Sequence, residues 1–350
     1  MAALTPGAPA AGSTDPAAAG PPVAPRLGAD RARRAGRAGR AALRAGAVLL
    51  RRILVLAALS AVVFAAVEIL PGDAATASAE RGDSAADIAA RREHLGLDRP
   101  LWERFTDWMT GLPTGDLGTS ARGEKVADLL RDPFPNTLAL AGAAFALTVA
   151  ASLALGCLAA ARPGTRPDRV IGHTATTAFA IPDFVLATGL VLVLSLWTGW
   201  LPAVTVADAS GKPAEWTMMI MPVLALAVPQ TGWNTRIVRG ALADQDGAPH
   251  VEAARLDGLS TSRVLLRHAL PGALPVIATG IATSTGMLLG GAVVVETLFN
   301  YPGIGTVLAG AVAGRDTSLI AGSVALAGVA ITLVLLAADL VRARTAGAGR

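Results

Sequence analysis

The chain has 350 residues, of which 53% are hydrophobic, only 4% aromatic and 16% charged, with a formal net charge of +4. A mean hydropathy of +0.52 excludes a pair of ordinary soluble domains and points to a membrane protein. Arginine carries the basic balance, because lysine occurs only at Lys125 and Lys212, and the single Cys157 excludes a disulfide framework or a thiolate metal site within the chain.

Residues 1–25 are Ala, Gly and Pro with few large apolar side chains, a composition that buries too little to order itself. From Arg26 to Arg52 many arginines stand against one acid, Asp30. Residues 1–50 are therefore expected to form a disordered basic arm, held in the cytosol and touching anionic lipid rather than nucleic acid.

Residues 53–70 form the first expected span, long enough as a helix rising about 1.5 Å per residue to cross a hydrocarbon core of about 30 Å. Ala75, Ala77 and Ala79 follow at the spacing of a signal cleavage site, but later spans of equal strength favour a retained anchor. Glu68 lies near the outer end, within reach of water or headgroups. Residues 71–135 read as an external region with helical patches at 85–95 and 101–109.

The second span is expected at 137–160, with Asn136 as its cap and Gly142, Ala143 and Ala144 as close-packing positions. Arg162, Arg166 and Arg169 place the next loop inside. The third run, 171–200, should kink at Pro182–Asp183 and end near Trp197 and Trp200 at the outer interface. In the fourth, 218–239, the polar side chains Gln230, Thr231 and Asn234 have to face protein or a watery path rather than lipid. With Asp183 they are the candidates for a translocation path, and hydrogen bonding between packed helices is the competing reading. Arg236 and Arg239 stand at the cytosolic end.

Residues 240–271 are polar between two apolar runs. Residues 250–257 have helical composition, Gly258 permits a sharp turn, and Ser260 is placed to cap a second short helix through Leu270. A helix-turn-helix knob on the cytosolic face follows. The fifth span is expected at 272–299, with Gly280, Gly286, Gly290 and Gly291 as close contacts, and Glu296 near its exit reads as an end-of-helix contact more readily than an ion site. The sixth, 318–341, is followed by Arg342 and Arg344, which keep both termini cytosolic.

The knob carries a resemblance. Glu252-Ala253-Ala254, three residues, Gly258, nine residues, then His268-Ala269-Leu270-Pro271 resembles the signature of ABC importer permeases. Leu70-Pro71-Gly72-Asp73, Leu95-Gly96-Leu97-Asp98, Gly115-Asp116-Leu117-Gly118 and Pro135-Asn136-Thr137-Leu138 look like the dipeptide, oligopeptide and nickel branch, and its first permease subunit in particular. The run from Gly290 to Gly305, with Arg315-Asp316 downstream, is similar to the same branch.

The resemblance covers about residues 51–342 and implies an all-α, six-helix type I ABC importer permease fold, with the transmembrane core at 137–342, in the bacterial inner membrane. It implies half of a translocation pore for peptides, or for nickel or related small solutes, delivered by an extracytoplasmic binding protein. A second homologous permease and one or two ATPase subunits complete the implied assembly. The knob residues Glu252, Ala253, Ala254, Gly258, Leu270 and Pro271 would then couple to the ATPase, which uses ATP and magnesium while this chain binds no cofactor. Gly247, Pro249 and Asp257 depart from the branch's usual residues around the knob.

No GxxxxGK[ST] phosphate loop, HExxH or GxSxG occurs, and the four histidines, His94, His173, His250 and His268, fall in different segments. Two alternatives stay open at this point. An ion-coupled secondary transporter needs ionisable groups at mid-membrane and usually an internal repeat, and a membrane-embedded enzyme needs catalytic pairs on the spans.

Overall fold

A computed structural model describes residues 27–69, 72–77, 79 and 84–347. The expected disorder of residues 1–25 and the Leu70-Pro71 step lie outside the described residues. The chain divides into two units between Ile53 and Leu54. In the first, the described residues are helical from Leu27 onward, at the start of α1 (Leu27–Ile69). The disordered arm expected as far as residue 50 is thereby corrected: alanine and arginine are too small or too charged to build a core, but both are strong helix formers.

The second unit is also helical, and among the described residues its only β pairing is two isolated bridges, Thr119 with Lys125 and Ala207 with Pro213. After a short α2 (Ala74–Ala77), α3 (Ala85–His94) starts at a reciprocal cap. The Ser84 hydroxyl accepts from the Asp87 N–H at 3.2 Å, while the Asp87 carboxylate accepts from the Ser84 N–H at 2.9 Å. α4 (Leu101–Gly111) lays Trp108 and Phe105 on Phe64, with ring centroids 5.3 and 5.4 Å apart. The Trp108 indole N–H donates to the Leu117 carbonyl at 3.0 Å, so its one polar atom is satisfied in the cluster. This cluster and α5 (Val126–Arg131) fasten the segment between the first two spans onto the last helix, where Gly322 makes room for Val126.

α6 (Pro133–Ala161), α7 (Arg166–Ala180) and α8 (Asp183–Leu190) follow, and α8 continues as a π-helical turn to Trp197. α7 and α8 bend by 99° across Ile181 and Pro182. The break falls where a proline in the sequence lacks an N–H and disfavours helix in the residue before it. At 99° it is a sharp corner rather than the modest kink expected. Trp197 and Trp200 are exposed beyond it.

α9 (Ile220–Asp244) is the hub. It packs against α6, α7, α8 and α12, and its buried residues run from Met221 to Leu242. The contacts are close because glycines remove side chains at the crossings. A Cβ on Gly232 would sit 2.3 Å from the Ala175 carbonyl oxygen, and one on Gly156 would sit 2.5 Å from Val238. Such crossings gain dispersion and exclude lipid, which is what holds helices together in a bilayer. Of the glycines expected to serve this way, Gly280 meets Ile237 and Gly291 meets Asp183, whereas Gly142, Gly286 and Gly290 face open space.

α10 (Pro249–Leu256) and α11 (Thr261–Val264) form the knob. α11 passes through a π-helical turn, Leu265–Ala269, into α12 (Leu270–Leu298). α13 (Ile304–Ala313) and α14 (Thr317–Gly347) close the chain. Four stretches are long and apolar enough to cross a membrane: Gly46–Val67, Val126–Ala161, Thr261–Leu298 and Thr317–Ala337. Counted together as one broken span, the bent pair of α7 and α8 is a fifth. α9 has the length, but Gln230, Thr231, Asn234, Arg236 and Arg239 make its second half too polar to join them.

Candidate functional site

The knob is built on the end of α9. Pro249 opens α10 at a position where a missing N–H costs nothing. Val251 and Ala254, one helical turn apart, are buried with Val238, Ala241 and Leu242 of α9 and with Val264 and Ala269. The opposite face leaves Glu252, Ala253 and Arg255 exposed, and Leu256 is 83% exposed. An apolar side chain so placed on a helix tip has nothing to cover it within the subunit.

Gly258 ends the helix at φ +73°, a left-handed conformation that glycine adopts without steric cost. There its N–H donates to the Arg255 carbonyl at 3.0 Å, and the Leu259 N–H reaches back to Ala254 at 3.3 Å. Arg255 is ion-paired with Asp246, whose carboxylate pushes the guanidinium pKa further up, and the His250 ring nitrogen lies 3.1 Å from the His268 carbonyl oxygen. These links tie both ends of α10 to its neighbours, so the knob is a fixed projection and not a loose loop.

The second half of the knob differs from expectation. Ser260 stands at the cap position, but its side chain makes no capping hydrogen bond, and the helix it precedes does not end at Leu270. It runs on as the foot of α12. Pro271 supplies the reason: it has no N–H for the preceding turn and its ring crowds the carbonyl there, and the wide π turn at 265–269 makes that room. Leu270 and Pro271 therefore belong to the base of a membrane span, while Glu252, Ala253 and Gly258 lie on the exposed tip and Ala254 anchors it.

The four path candidates separate into two environments. Asp183 and Gln230 both line a cavity of about 360 Å³ at the corner between α7 and α8, with Phe179, Phe184, Met287 and Val294. Asn234 does not reach it. It is buried, and its side-chain N–H donates to the Gln230 carbonyl at 2.9 Å, within the same helix. Thr231 is half-buried and lies about 100° further round α9 than Gln230, away from the cavity lining.

Arg239 is more than a cationic helix end. Its guanidinium makes two hydrogen bonds to Asp168 of α7, at 2.5 and 2.9 Å, and so clamps α7 to α9 next to the knob. Asp168 is only 3% exposed.

At the opposite end of the spans a second set of contacts explains several of the motif residues. Asn136, expected as a helix cap, instead lies inside α6, which starts three residues earlier at Pro133. Its amide donates to the carbonyls of Gly211 (2.8 Å) and Pro302 (2.7 Å), and its own carbonyl accepts from the Tyr301 hydroxyl at 3.1 Å. The Thr137 hydroxyl accepts from the Ile304 N–H at 2.8 Å. Glu296, as expected, makes an end-of-helix contact: it accepts from the Gly305 N–H at 2.6 Å, at the start of α13. Asp316 holds the loop around Ala121 in the same way, accepting from Ala121 N–H at 2.7 Å and from Leu319 N–H at 3.0 Å. Burial pushes the Asp316 carboxyl above its ordinary pKa. Sequence reasoning singled out these strings without locating their partners, which lie up to 195 positions away.

No group of three or more potential metal ligands occurs among the described residues. The chemistry on offer is instead mechanical and recognitive: an exposed tip joined rigidly to a span, and a polar cavity at a broken helix.

Comparison with known proteins agrees with that reading. Residues 152–345 match the family described as binding-protein-dependent transport system inner membrane component, and residues 46–141 match the N-terminal region of such membrane components. The glutathione transport system permease protein GsiC of Pectobacterium atrosepticum is 34% identical over 282 residues, covering 80% of this chain and 90% of the relative. GsiC of Escherichia coli K12 is 33% identical over 296 residues, covering 84% and 94%. Among solved structures, the inward-facing MetNI methionine ABC transporter superposes with a TM-score of 0.53 at 18% identity, covering 62% of this chain and 96% of that one, a likeness of fold. With both halves of the chain matched and the tip, the broken helix and the contacts of Asn136 and Thr137 in place, the chain belongs to the family of binding-protein-dependent transport system inner membrane components, the permease subunits of ABC importers.

Proposed function

We propose that this permease forms half of a translocation pore for peptide-like solutes, paired with a second homologous permease and driven by one or two ATPase subunits that consume ATP and magnesium. Family membership itself makes the chain a membrane transport component rather than an enzyme, set in the inner membrane and working with an ATPase and a binding protein. The observation that carries the peptide reading is the likeness to the glutathione permeases, which runs through both the external region and the membrane core. In this reading α10 docks on the ATPase through Glu252, Ala253 and Leu256, on the cytosolic side together with both termini. Nucleotide-driven closure moves the tip, and α12 carries the motion into the pore. Only a partner that contacts the tip differently in its two states can bias the pore in this way.

The test is reconstitution in sealed vesicles with binding protein, second permease and ATPase. Uptake of labelled glutathione or a tripeptide is expected only when every component and ATP are present. Uphill accumulation by this chain alone under a proton gradient would overturn the proposal in favour of an ion-coupled carrier.

A further inference from the structure

We propose that the cavity at the corner between α7 and α8 binds the protonated amino group of the cargo, with Asp183 as its counter-charge. The inference rests on the peptide reading above and adds which end of the cargo the membrane core holds. Asp183 opens α8 immediately after the 99° bend, and among the described residues its carboxylate has neither a hydrogen-bond donor nor a cationic partner. It is half-buried, beside Gly291 of α12, where a Cβ would come within 2.5 Å of its Oδ2. The glycine thus clears space for the carboxylate on that side, and the open direction is the cavity.

A carboxylate without a partner is too costly to face hydrocarbon, so this side of α8 and α12 borders an aqueous path. No lysine, arginine or histidine lines the cavity, and Asp183 is its only charged residue. The remaining lining suits a cation with an apolar neighbour. Phe179 and Phe184 are aromatic lining residues, Phe179 being held against Trp233 with centroids 5.0 Å apart, and Met287 and Val294 supply apolar wall. Gln230 adds an amide whose oxygen receives no hydrogen bond. At about 360 Å³ the space is at the small end of the usual range for ligand pockets, of order 300–1,000 Å³, and takes one end of a peptide rather than a whole chain.

The binding experiment uses the assembled permease–ATPase complex in lipid nanodiscs without binding protein, so that selection by the latter does not enter. Saturation-transfer NMR compares isopentylamine, a cation at neutral pH, with isopentanol, its neutral counterpart. The amine is expected to bind about tenfold more tightly, the value of a charge-assisted hydrogen bond. D183N, which keeps the side chain's size, should erase the preference, and D183E should keep most of it. Equal binding of the two probes by the unaltered complex, or a preference surviving in D183N, would overturn the proposal. Because neither probe is a peptide, failure of peptide uptake by the complete system counts against the cargo reading alone, and the amine result stands or falls separately.

Discussion

The carboxylate of Glu296, none of whose surface is exposed, accepts a hydrogen bond from the Gly305 N–H at 2.6 Å and so joins the end of α12 to the start of α13. A Cβ on Gly303 or Gly305 would lie 2.4 or 2.7 Å from the carboxylate, so the two glycines and the acid occupy one another's space. Glu296→Ala should therefore destabilise the subunit by about 1.5–3 kcal/mol, the value of a hydrogen bond to a charged group together with the emptied volume. Glu296→Gln, which keeps an acceptor of the same size, should lose less than half of that. Thermal unfolding of the purified protein in detergent separates the two.

Tyr301 is the chain's single tyrosine, so its ionisation is read without interference. Burial, and secondarily the Glu296 charge, push its pKa up to about 12. A raised folded-state value means that the unfolded chain gives up this proton first, near pH 10, so the stability Tyr301 contributes is complete below pH 10 and is lost as pH rises through about 12. Tyrosinate absorbance should show a midpoint well above pH 10 that falls to the ordinary value on unfolding. Tyr301→Phe should cost about 1 kcal/mol at neutral pH, through its lost bond to the Asn136 carbonyl, and should remove this part of the alkaline loss.

Gly232 and Gly240 lie two turns apart on α9 and predict opposite outcomes. At Gly232 an added methyl group meets the backbone of Ala175 and Phe179, which cannot rotate away, and Gly232→Ala should cost about 1–3 kcal/mol. At Gly240 nothing lies within 4 Å, and Gly240→Ala should be neutral or stabilising by up to about 1 kcal/mol, the helix propensity difference. Paired unfolding measurements check both.

Gly258→Val should abolish uptake while leaving membrane insertion intact. The left-handed backbone at φ +73° is strained for a β-branched residue by about 1–3 kcal/mol, enough to unwind the last turn of α10 and move Glu252 and Leu256 off the tip. Transport assays beside a protease-protection assay for insertion distinguish lost coupling from lost folding. Normal uptake by this variant would contradict the coupling role of the tip.

Asp168→Asn should weaken the α7–α9 clamp by about 1–2 kcal/mol, because Arg239 is about half exposed and water recovers part of the loss. Arg239→Lys should cost a similar amount, since a point charge cannot reproduce the two parallel bonds. A double-mutant cycle should give a coupling energy near the single losses.

Much of this architecture is legible as runs of apolar residues punctuated by proline and glycine. Pro182 marks the corner and Gly258 marks the turn, because each acts on its own backbone. What periodicity does not carry is partnership. Asn136 reads as a cap from its neighbours alone, whereas its donors are spent on carbonyls 75 and 166 positions away. The crossings at Gly156 and Gly232 are likewise set by the facing helix, and nothing adjacent to either glycine distinguishes it from Gly142, which faces open space. α9 is too polar to pass as a span and yet is the most central helix, since a helix shielded by its neighbours does not need to match the solvent properties of lipid. The start of α1 was obscured for a different reason: an alanine- and arginine-rich segment lacks the means for a core but not for a helix.

From Thr261 to Leu298 the polypeptide is one continuous helical stretch of 38 residues, about 57 Å from end to end. The stretch begins three residues after Gly258, so no loop intervenes between the turn that ends α10 and the far end of α12. In the coupling proposed above, the close crossing of Gly280 on Ile237 of α9 is the contact about which such a helix would tilt, so its position along the helix sets the ratio of movement at the two ends.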